Sequence, residues 1–109
     1  MNPWLLLTFA IAAEVIGTLA LRLSQGFSRP GPIALIIVAY GVSFWLSALV
    51  LQRLPLAVMY AVWSGAGTAV IAVLGIWLFG EPLNIARATG IALIIGGVVV
   101  LNLATNTAH

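Results

Sequence analysis

Four long apolar segments alternate with three short polar segments along the chain. The apolar segments are residues 4–21, 33–51, 56–79 and 88–103. Each is close to the ~20 residues that an α-helix needs to cross the hydrocarbon core of a bilayer. The segments between them carry glycine and proline, residues that commonly end helices: 24–32, 52–55 and 80–84. The pattern predicts an all-α membrane protein with four transmembrane helices.

The composition supports this prediction, because a soluble surface cannot be made from it. The 109 residues are 63% hydrophobic and 6% charged, whereas soluble domains carry roughly 25% charged residues. We therefore expect residues 1–109 to form one four-helix transmembrane domain whose partner is the lipid bilayer. Nucleic acid is not an expected partner, because four arginines and two glutamates do not form a clustered basic face.

The ends of the first segment and the arginines bear on topology. A cleaved signal peptide is the alternative interpretation of the first segment, but that segment lacks a basic start and contains a carboxylate. Four crossings leave both termini on one side of the membrane. Arg22, Arg29 and Arg87 flank one side and Arg53 flanks the other. This bias slightly favours termini outside, and it is small enough to permit insertion in both orientations.

Catalytic and metal-binding arrangements are not expected. The chain has no cysteine, and its single histidine is the terminal His109, so histidine-based triads and zinc clusters are excluded. The sequence WSGAG at 63–67 is not a nucleophile elbow, because that motif needs a strand-to-helix turn. We expect no enzymatic activity, no metal site and no organic cofactor.

Glu14 is the strongest functional signal, because it is a carboxylate in the middle of an otherwise apolar segment. Ionisable residues at such depth are costly, and they usually face a bundle interior or a water-filled pathway. The alternative is a structural carboxylate that is hydrogen-bonded within a helix interface. We expect Glu14 to bind both protons and a cationic substrate.

Small and hydroxyl-bearing residues, with one leucine a turn earlier, share the helical face of Glu14. Those on its stripe are Leu7, Ala10, Gly17 and Thr18. Small residues permit close approach either of another helix or of a ligand. Beside a buried acid we favour the second interpretation, and we expect these four residues to contact substrate.

Aromatic residues form a second candidate group. Tyr40 and Phe44 lie in the second segment, and Tyr60 and Trp63 lie one turn apart in the third. An acid with aromatic faces nearby suits a lipophilic cation, because charge neutralisation and cation–π attraction then combine. Plain packing is the alternative interpretation of these rings.

Glycines in the third and fourth segments predict two further features. Gly65 and Gly67 lie in mid-helix, where they weaken the backbone and predict a hinge. Gly90 and Gly97 are seven residues apart and therefore share a face, with Leu93 and Ile94 between them. This face predicts an oligomer interface.

These residues together resemble the small multidrug resistance family of bacterial inner-membrane transporters. The resemblance covers nearly the whole chain, and it rests on the glycine face of the last segment and on three motifs: AEVIGT (13–18), GF (26–27) and YAVWSGAGTA (60–69). It implies an antiparallel, dual-topology homodimer that exchanges protons, the coupling ion, for cationic drugs.

The resemblance also assigns roles to single residues. Glu14 matches the family's proton- and substrate-binding carboxylate, and the aromatic residues around that site are matched by Tyr40, Tyr60 and Trp63. Gly65 and Gly67 match the kink in the family's third helix. Independently, transporters often bind substrate between halves of inverted topology, and two oppositely inserted copies would supply the repeat that this chain lacks.

Branch signatures narrow the expected substrate. Gly17 and Ser64 resemble the branch that exports quaternary ammonium and aromatic cations, whereas guanidinium exporters tend to have Trp and Thr at those positions. Departures from the family pattern lie at Arg22, Gln25 and Asn84, and these affect substrate range and topology more than mechanism. Two alternatives stay open, namely a guanidinium–proton exporter and one subunit of a heterodimeric polyamine exporter.

Overall fold

Four α-helices account for most of the chain. The computed structural model describes residues 2–107, with side chains described for residues 2–104; His109 lies outside the described residues. The helices are α1 (Pro3–Leu23), α2 (Pro30–Leu51), α3 (Leu56–Phe79) and α4 (Ile85–Thr107). All four are long and apolar enough to cross a membrane, with α4 qualifying over Ile85–Ala104. The prediction of an all-α protein with four transmembrane helices is confirmed.

A first-turn proline in α2 and a capping asparagine before α4 let these helices begin three residues before the apolar segments do. Pro30 occupies the first turn of α2, where a missing N–H costs nothing and the fixed φ angle suits a helix. Asn84 precedes α4, and its Oδ1 accepts a hydrogen bond from the backbone N–H of Arg87 at 2.8 Å. At its other end α4 continues to Thr107, four residues beyond the apolar segment. Helix ends depend on backbone hydrogen bonds, whereas the apolar segment identifies only the part of the helix that lies in the hydrocarbon core.

The chain divides between Pro55 and Leu56 into two compact units. We name them hairpin 1, which contains α1 and α2, and hairpin 2, which contains α3 and α4. The single-domain organisation expected from the sequence stays a prediction.

Small residues bring α1 and α2 of hairpin 1 close together. The residues buried in the two helices have apolar or small side chains, and they recur at spacings of two to five positions: Leu7, Ala10, Val15, Gly17 and Ala20 on α1; Ile36, Ala39, Ser43, Ser47 and Val50 on α2. The hydroxyl of Ser43 donates a 2.8 Å hydrogen bond to the carbonyl oxygen of Ala10. Such an interhelical bond stabilises packing where no water competes for the polar groups.

In hairpin 2 the buried residues belong to α3. Buried residues of α3 are Val58, Met59, Gly65, Gly67 and Gly75. Along α4, none of the side chains described through residue 104 is buried within the chain. Helix α4 therefore presents a broad apolar surface, of the kind that lipid or a further polypeptide covers in a membrane.

Candidate functional site

Hairpin 1 joins the carboxylate of Glu14 to the phenol of Tyr40 through one hydroxyl group. Thr18 follows Glu14 by one turn of α1, and its Oγ1 donates a hydrogen bond to Glu14 Oε1 at 3.2 Å. The same Oγ1 lies 2.7 Å from the Tyr40 hydroxyl, which belongs to α2. Glu14 and Thr18, which the sequence places on one face of α1, thus form a connected group with Tyr40 of α2.

The two oxygens of the Glu14 carboxylate have different surroundings. Oε1 accepts the hydrogen bond from Thr18. Oε2 is buried, and no hydrogen-bond donor among the described residues reaches it. A buried acceptor without a donor costs free energy, so Oε2 is the oxygen at which a proton or a cation would bring the larger gain.

Gly17 determines where the ring of Tyr40 lies. A Cβ atom at Gly17 would lie 3.3 Å from three atoms of that ring, tighter than ordinary van der Waals contact. The glycine therefore leaves room for the ring against α1. On α2, Phe44 stacks with Tyr40 at a centroid distance of 6.2 Å and an interplanar angle of 18°. Glu14, Gly17, Thr18, Tyr40 and Phe44 are brought together within hairpin 1.

Leu7 and Ala10 lie in the packed part of the same hairpin. Their side chains are 1% and 0% exposed, and the carbonyl oxygen of Ala10 accepts the hydrogen bond from Ser43. Their expected role in contacting substrate stays a prediction. Ser43 itself was missed by the sequence analysis, because a serine in an apolar helix gives no periodic signal of its own.

The second aromatic pair belongs to hairpin 2. Tyr60 and Trp63 meet edge to face, with ring centroids 5.9 Å apart and planes inclined by 68°. Tyr60 is 59% exposed, so its ring is available to a ligand or to lipid. One turn further along α3, the Ser64 hydroxyl donates a hydrogen bond to the Tyr60 carbonyl oxygen at 2.7 Å. The predicted contact of this pair with a cation stays a prediction.

Gly65 of α3 lies in close contact with α4. A Cβ atom there would lie 2.6 Å from Val98 Cγ2 and 3.2 Å from Ile94 Cγ2. Gly67 is also buried, and α3 runs as one helix through both glycines. Close packing thus accounts for Gly65 in this conformation, and the hinge stays a prediction.

The glycine face of α4 is open within the chain. Added Cβ atoms at Gly90 and Gly97 would meet nothing within 4 Å. Leu93 between them is 71% exposed, and Ile94 is 37% exposed while also packing over Gly65. The predicted oligomer interface on this face stays a prediction.

A clasp of charged residues at the α3–α4 turn was also missed as a structural unit. The Glu81 carboxylate lies against Gly75, and its Oε1 pairs with Arg87 Nη2 at 3.3 Å. Arg87 also donates to the carbonyl oxygen of Pro82, and the Glu81 backbone N–H donates to the Gly75 carbonyl at 3.2 Å. The glycine at position 75 is the sequence feature that permits this contact.

An open apolar groove of about 690 Å³ on hairpin 2 has no feature of a cation site. Its lining carries no charged side chain, so it has the character of a lipid-facing surface. The lining residues are Val73, Ile76, Trp77, Leu83, Ala88, Ile91, Ala92 and Ile95.

Comparison with known proteins relates the whole chain to one group of transporters. The family model described as Small Multidrug Resistance protein matches residues 2–94. The quaternary ammonium compound-resistance protein QacE of Escherichia coli is 46% identical over 103 residues, covering 94% of each chain. The multidrug transporter EmrE of Escherichia coli K12 is 43% identical over 103 residues, with the same coverage. The nicotine metabolites export pump subunit NepB of Paenarthrobacter nicotinovorans is 42% identical over 109 residues, covering 100% of this chain and 66% of NepB.

Proposed function

The chain belongs to the small multidrug resistance family, and from this premise we propose that it is a proton-coupled antiporter that exports lipophilic and quaternary ammonium cations. It is a multi-pass protein of the bacterial inner membrane, with four helices that are long and apolar enough to span the bilayer. Its relatives carry the names of transporters and export pumps. Accordingly, we propose that it catalyses no covalent chemistry and needs no cofactor, with protons as the coupling ion.

The observation that carries the proposal is the environment of Glu14. Its carboxylate lies partly buried in an apolar helix, with one oxygen bound by Thr18 and the other without a donor among the described residues. A charge in such a place is costly unless it is paired or neutralised. A permanently charged cation would pair with the negative charge of the carboxylate, and a proton would neutralise that charge.

Proton and drug then exclude each other at this one group. The ionised carboxylate attracts the cation, whereas the protonated carboxyl offers no charge to replace the hydration that the cation loses. Each ligand weakens the binding of the other by the same factor, because coupling between equilibria is reciprocal. If the site opens to one side of the membrane at a time, inward proton flow drives outward movement of the drug.

The functional assembly in this proposal is an antiparallel homodimer. One copy contributes one carboxylate within the apolar spans, and its α4 has an open glycine face with an exposed Leu93. Two oppositely inserted copies would create the inverted halves between which transporters commonly bind substrate. The slight arginine bias of the loops permits such dual insertion.

Two alternatives make distinct predictions. A guanidinium exporter would transport guanidinium in preference to quaternary ammonium, and Gly17 and Ser64 argue against it by their resemblance to the other branch. A heteromeric pump, as the word subunit in the name of NepB suggests for that relative, would be inactive as the purified single chain. The polyamine-exporting heterodimer belongs to this second class.

Transport by purified protein in proteoliposomes tests the proposal. We expect a proton gradient to drive movement of benzyltrimethylammonium, with guanidinium moved poorly. Glu14→Gln should lose both drug binding and drug-induced proton release, while Glu14→Asp keeps some binding with an altered pH profile. The matched control is Glu81→Gln, which removes the other carboxylate of the chain and should leave proton release intact. Wild-type transport by Glu14→Gln, or drug affinity independent of pH, would contradict the proposal.

A further inference from the structure

The apolar groove of hairpin 2 runs along α3 and α4 from the turn that joins them. Leu83 and Ala88 line it at the turn, and Ile95 lines it further along α4. Ile95 also lines a second cavity, of about 110 Å³, whose lining continues to Val99. At a rise of about 1.5 Å per residue, α4 advances about 16 Å from Ala88 to Val99. One leaflet supplies about 15 Å of hydrocarbon depth, so the groove and the second cavity together match the reach of one acyl chain.

The groove lies on the opposite side of α4 from its glycine face. Ala88 and Ile95 line the groove, and each stands two residues before one of the glycines Gly90 and Gly97. Two residues turn an α-helix by about 200°. A second helix packed closely against the glycine face would therefore leave this side of α4 exposed to lipid.

An ion pair lies at the turn end of the groove. Among the described residues of hairpin 2, the charged side chains are Glu81 and Arg87, and the lining residues Leu83 and Ala88 are within two positions of them in sequence. The Glu81 and Arg87 side chains are 35% and 31% exposed. Because a turn between two membrane-spanning helices lies at the membrane surface, both charges are accessible at the depth of the lipid headgroups.

Arg87 has donors for a further acceptor. A guanidinium group carries five N–H donors. Within the part of the chain that the structure describes, one is donated to Glu81 and one to the carbonyl oxygen of Pro82, and these two bonds hold the guanidinium at the turn. Guanidinium binds phosphate well, because two of its N–H groups match two phosphate oxygens. A phosphodiester at the headgroup level is therefore a suitable ligand for Arg87.

The ion pair as a whole is neutral, which favours a zwitterionic headgroup. A lipid with a net negative charge would meet the Glu81 carboxylate as well as the guanidinium of Arg87. A headgroup with an ammonium beside its phosphate places an opposite charge against each member of the pair, and a primary ammonium can also donate hydrogen bonds to the carboxylate. Trp77 lines the groove and is 77% exposed, and its amphipathic ring is typical of the membrane–water interface.

We propose that hairpin 2 binds one phosphatidylethanolamine molecule, with an acyl chain in the apolar groove, the phosphate on Arg87 and the ammonium beside Glu81. This lipid site goes beyond the proposed export function and does not depend on it. Lipid binding is measured without transport, so the failure of one proposal is distinguishable from the failure of the other.

Native mass spectrometry of the purified, delipidated protein tests the proposal. Phosphatidylethanolamine, phosphatidylcholine and phosphatidylglycerol with identical acyl chains are added in turn, and the affinity for the first lipid bound per chain is compared. We expect phosphatidylethanolamine to bind about fivefold more tightly than either of the others, the scale of one partly exposed ion pair. Glu81→Gln should abolish this preference, because the negative charge that faces the ammonium is lost.

Further variants separate the headgroup from the acyl chain. Arg87→Gln should weaken phosphatidylethanolamine binding about fivefold, and Arg87→Lys should weaken it less, because lysine keeps the charge but not the paired donors. Ala92 lines the groove, and Ala92→Phe should weaken binding of all three lipids about tenfold, the loss expected when two methylene groups are excluded. Val100→Phe is the matched control, because Val100 is exposed and lines neither cavity, and it should bind lipid as the wild type does. Circular dichroism checks that each variant keeps its helices.

Three results would overturn the proposal. The first is equal binding of the three lipids by the wild type, and the second is lipid binding by Ala92→Phe equal to that of Val100→Phe. The third concerns a polypeptide as the occupant of the groove. The chain has no cysteine, so Ala92→Cys introduces a single one, and efficient disulfide formation between two chains in membranes would show that a second copy covers the groove instead of lipid.

Discussion

Replacing Gly65 by alanine tests how hairpin 2 is packed. The new Cβ would lie 2.6 Å from Cγ2 of Val98 and 3.2 Å from Cγ2 of Ile94. Real Cβ atoms essentially never approach within 3.0 Å of another heavy atom, so α3 and α4 must separate or Val98 must rotate. Valine in a helix has one strongly preferred rotamer, and helix separation is therefore the expected response.

The magnitude follows from two opposing effects. Overpacking a helix interface costs about 1–3 kcal/mol, and so close a contact with a branched side chain belongs in the upper half of that range. Alanine gains about 1 kcal/mol over glycine from helix propensity. The net expectation for Gly65→Ala is a destabilisation of about 1–2 kcal/mol relative to wild type.

Unfolding in mixed micelles, titrated with a denaturing detergent and followed by circular dichroism, measures this difference. Gly96→Ala is the matched control, because a Cβ at Gly96 meets nothing within 4 Å, and it should be neutral or stabilising. Val98→Ala removes the methyl group that clashes. On that background Gly65→Ala should cost little further stability.

Two results would refute this reasoning. The first is wild-type stability of Gly65→Ala, and the second is an equal loss from Gly65→Ala whether or not Val98 is present. Transport by the Gly65→Ala, Val98→Ala double variant then tests the predicted hinge. If stability is restored while transport is still lost, the backbone freedom of glycine at position 65 is needed in addition to its small size.

Three further predictions concern other parts of the chain. Trp63→Ala should weaken binding of an aromatic cation by about 1–2 kcal/mol in calorimetry without unfolding the protein; unchanged affinity would assign Trp63 to packing. Gly75→Ala should expel the Glu81 carboxylate and break its ion pair with Arg87, a surface pair worth at most about 1 kcal/mol, so hydrogen exchange in the α3–α4 turn should accelerate; unchanged exchange would contradict the clasp. Adding two lysines to either end of the chain should lock its topology, and the oppositely locked forms should confer drug resistance only when co-expressed; full resistance from one locked form alone would contradict the antiparallel dimer.

The helices were predictable from the sequence because membrane spans must be apolar over a minimum length. Their ends were less predictable, for the reason that α4 shows. It begins after the capping residue Asn84 and continues to Thr107, although residues 85–87 and 104–107 lie outside the apolar segment. Hydropathy reports the bilayer, whereas caps and backbone hydrogen bonds decide where a helix begins and ends.

The candidate site was predictable in part. Glu14 stands out in any apolar helix, and Thr18 follows from its position one turn away. That Tyr40 would reach Thr18 was not predicted from the sequence, because α2 has little contrast between its faces. Ser43 and Ser47, one turn apart, are the polar residues that mark its buried face. The small residues that bring the helices together decide it, and Ser43 binds α2 to the carbonyl of Ala10.

The glycines of this chain show why small residues in membrane helices cannot be interpreted by residue type alone. Gly17 and Gly65 look equally permissive in the sequence, yet the space beside each is already filled within its own hairpin, by the Tyr40 ring and by Val98. Gly90 and Gly97 have open space instead, although they lie on a helix that needs a partner or lipid along its length. Where a neighbouring side chain already fills the space beside a glycine, that glycine fixes the packing inside its hairpin. Where the space is open, another helix can pack closely against the glycine. The oligomer interface is therefore better sought at Gly90 and Gly97 than at the glycines nearest the carboxylate.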